Sequence, residues 1–582
     1  MNRTLSRLGF TCAAAIAVFV GMVSAPAVRA EVSVEIRTVA LTDDLAPGTG
    51  GATFDTFEWP MVTRFGSVVI NATLVGPGVD QSNNHGAWVE TDGTLELILR
   101  EGDESPGVQD GTFSGLGLSI LNDAQQMKVG GVLAGPGVDF TNDQGLWAGS
   151  RATLSLIARE GDTPPDETGM PSSGDLKFSH TFRGRLDGAG RVTFFAEVLG
   201  ENPDGTIVNE NNENDGGIWA EKVEPDGRLT LVLVAREGQS APITGGKLFC
   251  GINGSFFGSS SGGKIAFLAS LNEPEDPAGT TRPPCDANPG ILHAIWTWAE
   301  GDLGLLRRTG DPAPDQEGLP LPGVSFSGSF SHVTLNRFDR AAFKGELTGQ
   351  GVDTTNFSGL WAETPEDILA LVARGGDPAP DTEAGIFFDR FVIILHSGSG
   401  DVTFFAKLVG DGVDSANDQG IWAGAWDAET GSHIFRLVAR EGDPAPGRGN
   451  VFDAFDRIAF NNVGQVVFRG RVAGRGPGHR IGLFAEDPFA GNLNLIVLTD
   501  DDLEVRPGDF RRVVRLDPLN YGGTGEFGQN NYLSDLGEVV FRATFTDGSQ
   551  GVFVATFVDE GSSTGGGGKG GGGKGGGKPP KQ

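Results

Sequence analysis

Histidine, cysteine and basic charge are all scarce in this chain, and each scarcity removes a class of chemistry. The seven histidines fall at unrelated positions, with no H-E-x-x-H or other paired spacing, so zinc-peptidase chemistry is excluded. Lone histidines such as His85 and His479 read as solvated loop residues. There are three cysteines. Cys12 lies in the N-terminal apolar run, and the spacing of Cys250 and Cys285 matches no metal motif. In an oxidising compartment those two are candidates for one disulfide, with free buried thiols as the other reading.

Lysine and arginine number 44 against 76 acids, a formal charge of -32. A body this acidic repels nucleic acid and anionic membranes, so neither is expected as a partner. Beyond the N-terminus no run approaches 18 apolar residues, so no membrane span is expected. No phosphate loop or Rossmann fingerprint stands between a strand and a helix. The "GSSSG" at Gly258 matches G-x-S-x-G in form only, because no helix follows to make a nucleophile elbow.

What the chain does have is glycine (92), proline (32) and phenylalanine (38), within 38% hydrophobic residues. That profile fits many short strands joined by tight turns. At the N-terminus, Arg3 and Arg7 precede an apolar run, and "AVRA" offers a cleavage site after Ala30. Residues 1–30 therefore read as a signal peptide. Losing Arg3, Arg7 and Arg29 with no acid takes the charge from -32 to -35. The mature protein is expected to be secreted or held at the cell surface, extracellular or periplasmic.

One phrase recurs along the chain. "LVAREGDPAPG" at Leu437 repeats as "LILREGDESPG" at Leu97, "LIAREGDTPPD" at Leu156, "LVAREGQSAPI" at Leu233, "LLRRTGDPAPD" at Leu305 and "LVARGGDPAP" at Leu371. It closes the last of four pieces in a unit that begins near Phe54, Phe113, Phe178, Phe249, Phe326, Phe388 and Phe452. The first piece starts with that Phe. The second is an alternating run such as "GDVTFFAKLV" from Gly400. The third centres on Trp88, Trp147, Trp219, Trp296, Trp361, Trp422 or Phe484. Period-two alternation with β-branched and aromatic residues makes all four pieces strands. Four antiparallel strands repeating about 60 to 75 residues apart is the pattern of a β-propeller, with a solenoid of stacked hairpins as the competing geometry.

The ends decide between the two. The last unit supplies "SDLGEVVFRATF" from Ser534 and "GVFVATFV" from Gly551, and then stops without a fourth strand. "VSVEIRTVALTDDLAPG" from Val32 is a spare fourth strand, and it shares a Leu-Thr-Asp-Asp step with "LIVLTDDDLEVRPG" from Leu495. A ring uses that complementarity to remove exposed strand edges. The expected fold is therefore all-β, an eight-bladed propeller of four-stranded antiparallel blades over residues 31–558. Its last blade is shared by about 511–558 and 31–51, which allots 66 residues to each blade.

The step "NNVGQVVF" (Asn461 to Phe468) and its relatives "LDGAGRVTFFA" from Leu186 and "LSDLGEVVFRA" from Leu533 resemble a group of exported bacterial proteins with tandem N-x-x-G-x-x-x-A-F repeats. Some of those proteins carry C-terminal surface anchors. "NRFDRAAF" from Asn336 lacks the Gly, and "NDAQQMKV" from Asn122 lacks both Gly and Phe. The resemblance implies an exported, propeller-like repeat protein and brings no activity or catalytic residues with it. Residues 559–582 depart from the anchored members. They form a Gly/Lys tail that reads as disordered, or as a weak, salt-sensitive tether through Lys569, Lys574, Lys578 and Lys581.

In a four-stranded meander, the loop between strands two and three emerges on the same side as the loop to the next blade. One face should therefore carry the repeated Gly-Val-Asp loops beside the recurrent phrase, with Arg100, Arg159, Arg374 and Arg440 between them. The plain reading is that Asp and Asn cap their own turns and each Arg bonds a loop carbonyl or carboxylate. The cofactor reading is calcium, held by Asp80, Asp139, Asn142, Asp143, Asp353, Asp414 and Asp418. The third is a glycosidase-type carboxylate set. Symmetry breaks at 200–217 and 272–290, where the loops of units three and four swell, and Asp204, Asn209, Asn212, Asp215, Glu273, Asp276 and Asp286 there form a candidate ligand-binding face. These observations favour a monomeric, non-enzymatic binding or structural module with a glycan or surface protein as ligand. The alternative is a hydrolase or lyase acting on extracellular polysaccharide.

Overall fold

The computed structural model describes residues 32–117, 120–179, 182–203, 205–208, 214–272, 292–447, 449–473, 479–517 and 532–559. Among these residues there is no helix, and hence none long and apolar enough to cross a membrane. The strands form eight antiparallel sheets, the blades of one propeller, within a compact body spanning Val34–Phe557. The other described residues, Val32, Ser33, Val558 and Asp559, are strand ends.

Blade 6 shows the plan. Its strands, Ile386–His396, Val402–Gly410, Gln419–Asp427 and Ser432–Arg440, pair in chain order. Period-two alternation puts Phe388, Phe404 and Trp422 on one side of the sheet, all buried. Phe388 meets Trp422 edge to face, with centroids 4.9 Å apart at 85°. Phe113–Trp147, Phe178–Trp219, Phe249–Trp296 and Phe326–Trp361 repeat this contact, and blade 7 makes it with Phe452–Phe484. Such a pair adds about 0.5–1.5 kcal/mol beyond area burial. Except in blade 4, where it is Ala294, the residue two before the aromatic is glycine for a steric reason. A Cβ on Gly420 would stand 2.4 Å from the Trp422 ring. Each aromatic side packs on the plain side of the preceding blade, as where Leu360, Ala362 and Val372 of blade 5 meet Phe388 and Trp422.

Blades 1 to 7 occupy residues 53–100, 112–159, 177–236, 248–308, 320–374, 386–440 and 451–498. Blade 8 takes its inner three strands from Asp509–Leu516, Val539–Phe545 and Gln550–Asp559, and its outer strand from Val32–Leu41. Beside that join Thr42 N donates to Gln550 O at 2.9 Å, and Phe57 N donates to Gln550 Oε1 at 2.9 Å. The ring is closed by the N-terminal strand, as the unmatched ends of the sequence require. Three short strands fall outside the repeat: Ile207–Val208 pairs with the second strand of blade 3, Pro312–Pro314 extends blade 5, and Asp502–Arg506 extends blade 8.

The turns between first and second strands fasten neighbouring blades. Asn461 is fully buried. Its Oδ1 accepts from Gln465 N at 2.9 Å, capping its own turn, and its Nδ2 donates to Ser534 O of blade 8 at 2.9 Å. Asn122 reaches Asp187 O at 3.0 Å, and Asn336 reaches Ser397 O at 2.9 Å. Elsewhere the link is Arg64 to Asp123 at 2.7 Å, Arg191 to Gly262 O at 2.6 Å, Ser261 to Arg337 O at 3.0 Å, Gly398 N to Asn462 at 3.0 Å, and Asp535 N to Arg64 O at 3.0 Å. Together these bonds cross all eight blade boundaries. The Gly-Ser segment at 258–262 belongs to this belt: it leads into the first turn of blade 4, where Ser260 bonds Asp339 of blade 5.

Candidate functional site

The repeated polar residues gather at the opposite ends of the strands. In blade 2, Asp139 Oδ1 accepts from Thr141 N at 2.9 Å and from Thr141 Oγ1 at 2.6 Å. Asn142 Oδ1 accepts from Asp139 N at 3.0 Å, and its Nδ2 donates to Gly137 O at 3.2 Å. Arg159, at the end of the fourth strand, donates to Asn142 O at 2.7 Å and to Asn142 Oδ1 at 3.0 Å. The same network surrounds Asp80, Asn83 and Arg100 in blade 1. It recurs around Asp353, Asn356 and Arg374 in blade 5, and around Asp414, Asn417 and Arg440 in blade 6. The hydrogen bonds from Ser82, Thr141 and Thr355 hold the carboxyls of Asp80, Asp139 and Asp353 below the ordinary carboxylate range.

The aspartate of the recurrent phrase has the same kind of role. Asp103 and Asp377 each accept the N–H of the arginine three residues before, both at 2.8 Å. The glycine between them must turn left-handed, with φ +84° at Gly442. The loops and the phrase thus share one face, and their contacts are turn contacts.

Two acid pairs lie beneath these loops. Glu160, 8% exposed, faces Asp143, and its carboxyl is raised first by burial and then by the Asp143 charge. Glu441, 2% exposed, faces Asp418 and is pushed up to about 7, again by burial first. In each pair the aspartate's charge adds to burial in favouring the protonated form of the glutamate. In blade 6, Lys407 Nζ also reaches Asp418 Oδ1 at 2.7 Å. Blade 5 has Phe357 and Gly375 at the corresponding positions, so both acids are missing together. Blade 1 keeps Glu101 opposite Asn84, so the pairing is not carried by the sequence alone, which points only to Asp143 and Asp418.

Among the described residues no group of three His, Cys, Asp or Glu side chains is placed to hold a metal ion. Asp80, Asp139, Asp353 and Asp414 each turn Oδ1 onto their own loop, Asn142 Oδ1 accepts Asp139 N, and Asp143 and Asp418 each face one glutamate.

Of the swollen-loop candidates, Asp215 directly precedes the third strand of blade 3, and its carbonyl accepts Val198 N at 2.9 Å. Asp204, Asn209, Asn212, Glu273, Asp276 and Asp286 lie outside the described residues. Cys250 is buried in the first strand of blade 4 and is disulfide-bonded, and its expected partner Cys285 is outside the described residues. His85 departs from its reading as a solvated residue. It opens the third strand of blade 1, is 9% exposed, and sits 3.2 Å from Glu58.

On the other face, glutamates two residues after the blade aromatic accept the first N–H of the second strand: Glu221 from Val192 at 2.8 Å, Glu363 from Ala341 at 2.6 Å and Glu486 from Val466 at 3.0 Å. Burial pushes Glu221 up to about 7.

A family of unknown function (DUF7453) matches residues 21–166, 153–282, 213–427 and 423–564. No curated protein matches the chain. Solved structures with a similar fold include a protein of unknown function from Dyadobacter fermentans, 12% identical over 65% of this chain and 94% of that one, with a TM-score of 0.23. The Dos1 propeller is 8% identical over 86% of this chain and 93% of that one, with a TM-score of 0.35. A puromycin hydrolase is 12% identical over 88% and 61%, with a TM-score of 0.34. Likeness this distant says nothing about activity.

Proposed function

The chain belongs to this family of unknown function, and we propose from its own residues that it is an exported, non-enzymatic propeller. It acts as a binding or structural module at the cell surface or outside the cell, as a monomer, with a glycan or surface protein as ligand. One observation carries this reading. The polar groups that recur from blade to blade are engaged in holding turns, as in the Asp139–Asn142–Arg159 network and its three copies. What remains for recognition is whatever differs between blades.

The alternative, a hydrolase or lyase of polysaccharide, draws support from Glu221 and Glu441, both raised to about 7 and so suited to proton transfer. They belong to blades 3 and 6 and to opposite ends of the strands, so they cannot flank one glycosidic bond. The test presents the purified mature chain to arrays of bacterial-surface glycans and proteins while release of reducing ends is followed on the same polysaccharides. Retention without turnover is expected. Turnover that is lost on substituting a carboxylate would establish the enzyme instead.

A further inference from the structure

Blade 6 breaks the repeat where its third and fourth strands meet. Gly424 stands where blades 1, 3, 5 and 7 have Glu90, Glu221, Glu363 and Glu486, where blade 4 has Trp298 and blade 2 has Gly149. A Cβ there would lie 2.5 Å from the Phe435 ring, so the glycine gives that ring its place. The hairpin beyond it pairs Trp426 with His433. These rings meet edge to face at 5.1 Å, and His433 stacks on Phe435 at 5.8 Å.

Between this hairpin and blade 5 is a pocket of about 220 Å³ whose lining includes Glu363, Thr364, Trp426, Ser432, His433 and Phe435. His433 Nε2 lies 3.0 Å from Gly400 O and therefore carries the proton it donates there. Burial holds the imidazole neutral, which leaves Nδ1 as an acceptor. Glu363 uses Oε2 for Ala341 N. Among the described residues Trp426 Nε1 has no hydrogen-bond partner, and neither His433 Nδ1 nor Glu363 Oε1 is engaged by the protein. The pocket thus offers aromatic walls and two unused acceptors within one small volume, with the Trp426 indole N–H buried away from it.

We propose that this pocket takes a neutral pyranose ring of a glycan, an inference that rests on the binding-module reading and names its ligand class. A sugar ring presents C–H faces to aromatic walls and hydroxyls to such acceptors, and a pocket this small takes one ring rather than a longer chain. The chain's net charge of -32 disfavours an anionic sugar.

The test is saturation-transfer NMR on the full mature chain with the methyl glycosides of glucose, galactose, mannose and N-acetylglucosamine, and with a glucuronide as anionic control. At least one neutral glycoside should bind and the glucuronide should not. Trp426→Ala should weaken binding at least about tenfold, and Glu363→Gln and Ser432→Ala should also weaken it, with melting temperatures confirming that each variant is folded. The proposal is overturned if no neutral glycoside binds, or if folded Trp426→Ala and Glu363→Gln bind like wild type. If arrays still capture the Trp426→Ala variant as well as wild type, the pocket fails and the binding module stands. If wild type captures nothing at all, both fail. If wild type hydrolyses a bound glycoside, the pocket stands and the non-enzymatic reading falls.

Discussion

Trp422 donates its indole N–H to the backbone carbonyl of Pro380, 3.0 Å away and across a blade boundary. Pro380 belongs to the copy of the recurrent phrase that leaves blade 5, and Trp422 is the core aromatic of blade 6. Trp88 to Pro47, Trp147 to Pro106, Trp219 to Pro165 and Trp361 to Pro314 repeat the bond. The phrase therefore ends a strand with its arginine, caps a turn with its aspartate and clamps the next blade with its proline carbonyl.

Trp422→Phe keeps the ring and removes the donor, so it should cost about 1 kcal/mol, while Trp422→Ala should cost about 3–5 kcal/mol. Trp296 has no hydrogen-bond partner for its indole N–H among the described residues, so Trp296→Phe should cost less than Trp422→Phe. Urea denaturation of the three variants checks this order, and equal costs for the two Phe variants would remove the clamp.

Glu441 carries a folded pKa raised from 4.5 to about 7. A raised carboxyl pKa means that the folded chain holds the proton more tightly than the unfolded chain. Its stabilising contribution is complete below the unfolded value and is lost as pH rises through about 7. Glu441→Gln should therefore gain stability relative to wild type between about pH 5 and pH 8. Denaturation midpoints across that range test it, and a constant difference would show that the Glu441 carboxyl is not raised in the folded chain.

Removing Val32–Leu41 strips blade 8 of its outer strand and leaves Gln550–Asp559 as an open edge. Hydrogen exchange of residues 550–557 should become fast and the shortened chain should self-associate. Unchanged protection of that strand would mean that the N-terminal strand does not close the ring.

The ring was legible because its signals are local and repeated. Phe54 and Trp88 have counterparts in the same order in each of the seven units, and the Leu-Thr-Asp-Asp steps marked the two ends that meet. The side shared by Asn142 and Arg159 followed from strand direction alone. Contacts made by topology were not legible. Asp143 and Glu160 are 17 residues apart in the chain, and only the return of the fourth strand brings them together. The pocket at Trp426 draws on two blades, so its residues read singly as an ordinary hairpin. His85 looked solvated because it follows a loop, but in the folded chain it begins a buried strand.

The central claim, that the repeated aspartate loops are architecture and not a metal or catalytic site, is tested most directly by melting the full mature chain in excess calcium and in EDTA, as wild type and as Asn142→Ala. The turn network predicts one wild-type melting temperature in both solutions, with the variant lower in both by about 1–3 kcal/mol of stability. A wild-type melting temperature that falls on chelation, and that no longer does so in Asp139→Ala, would contradict it.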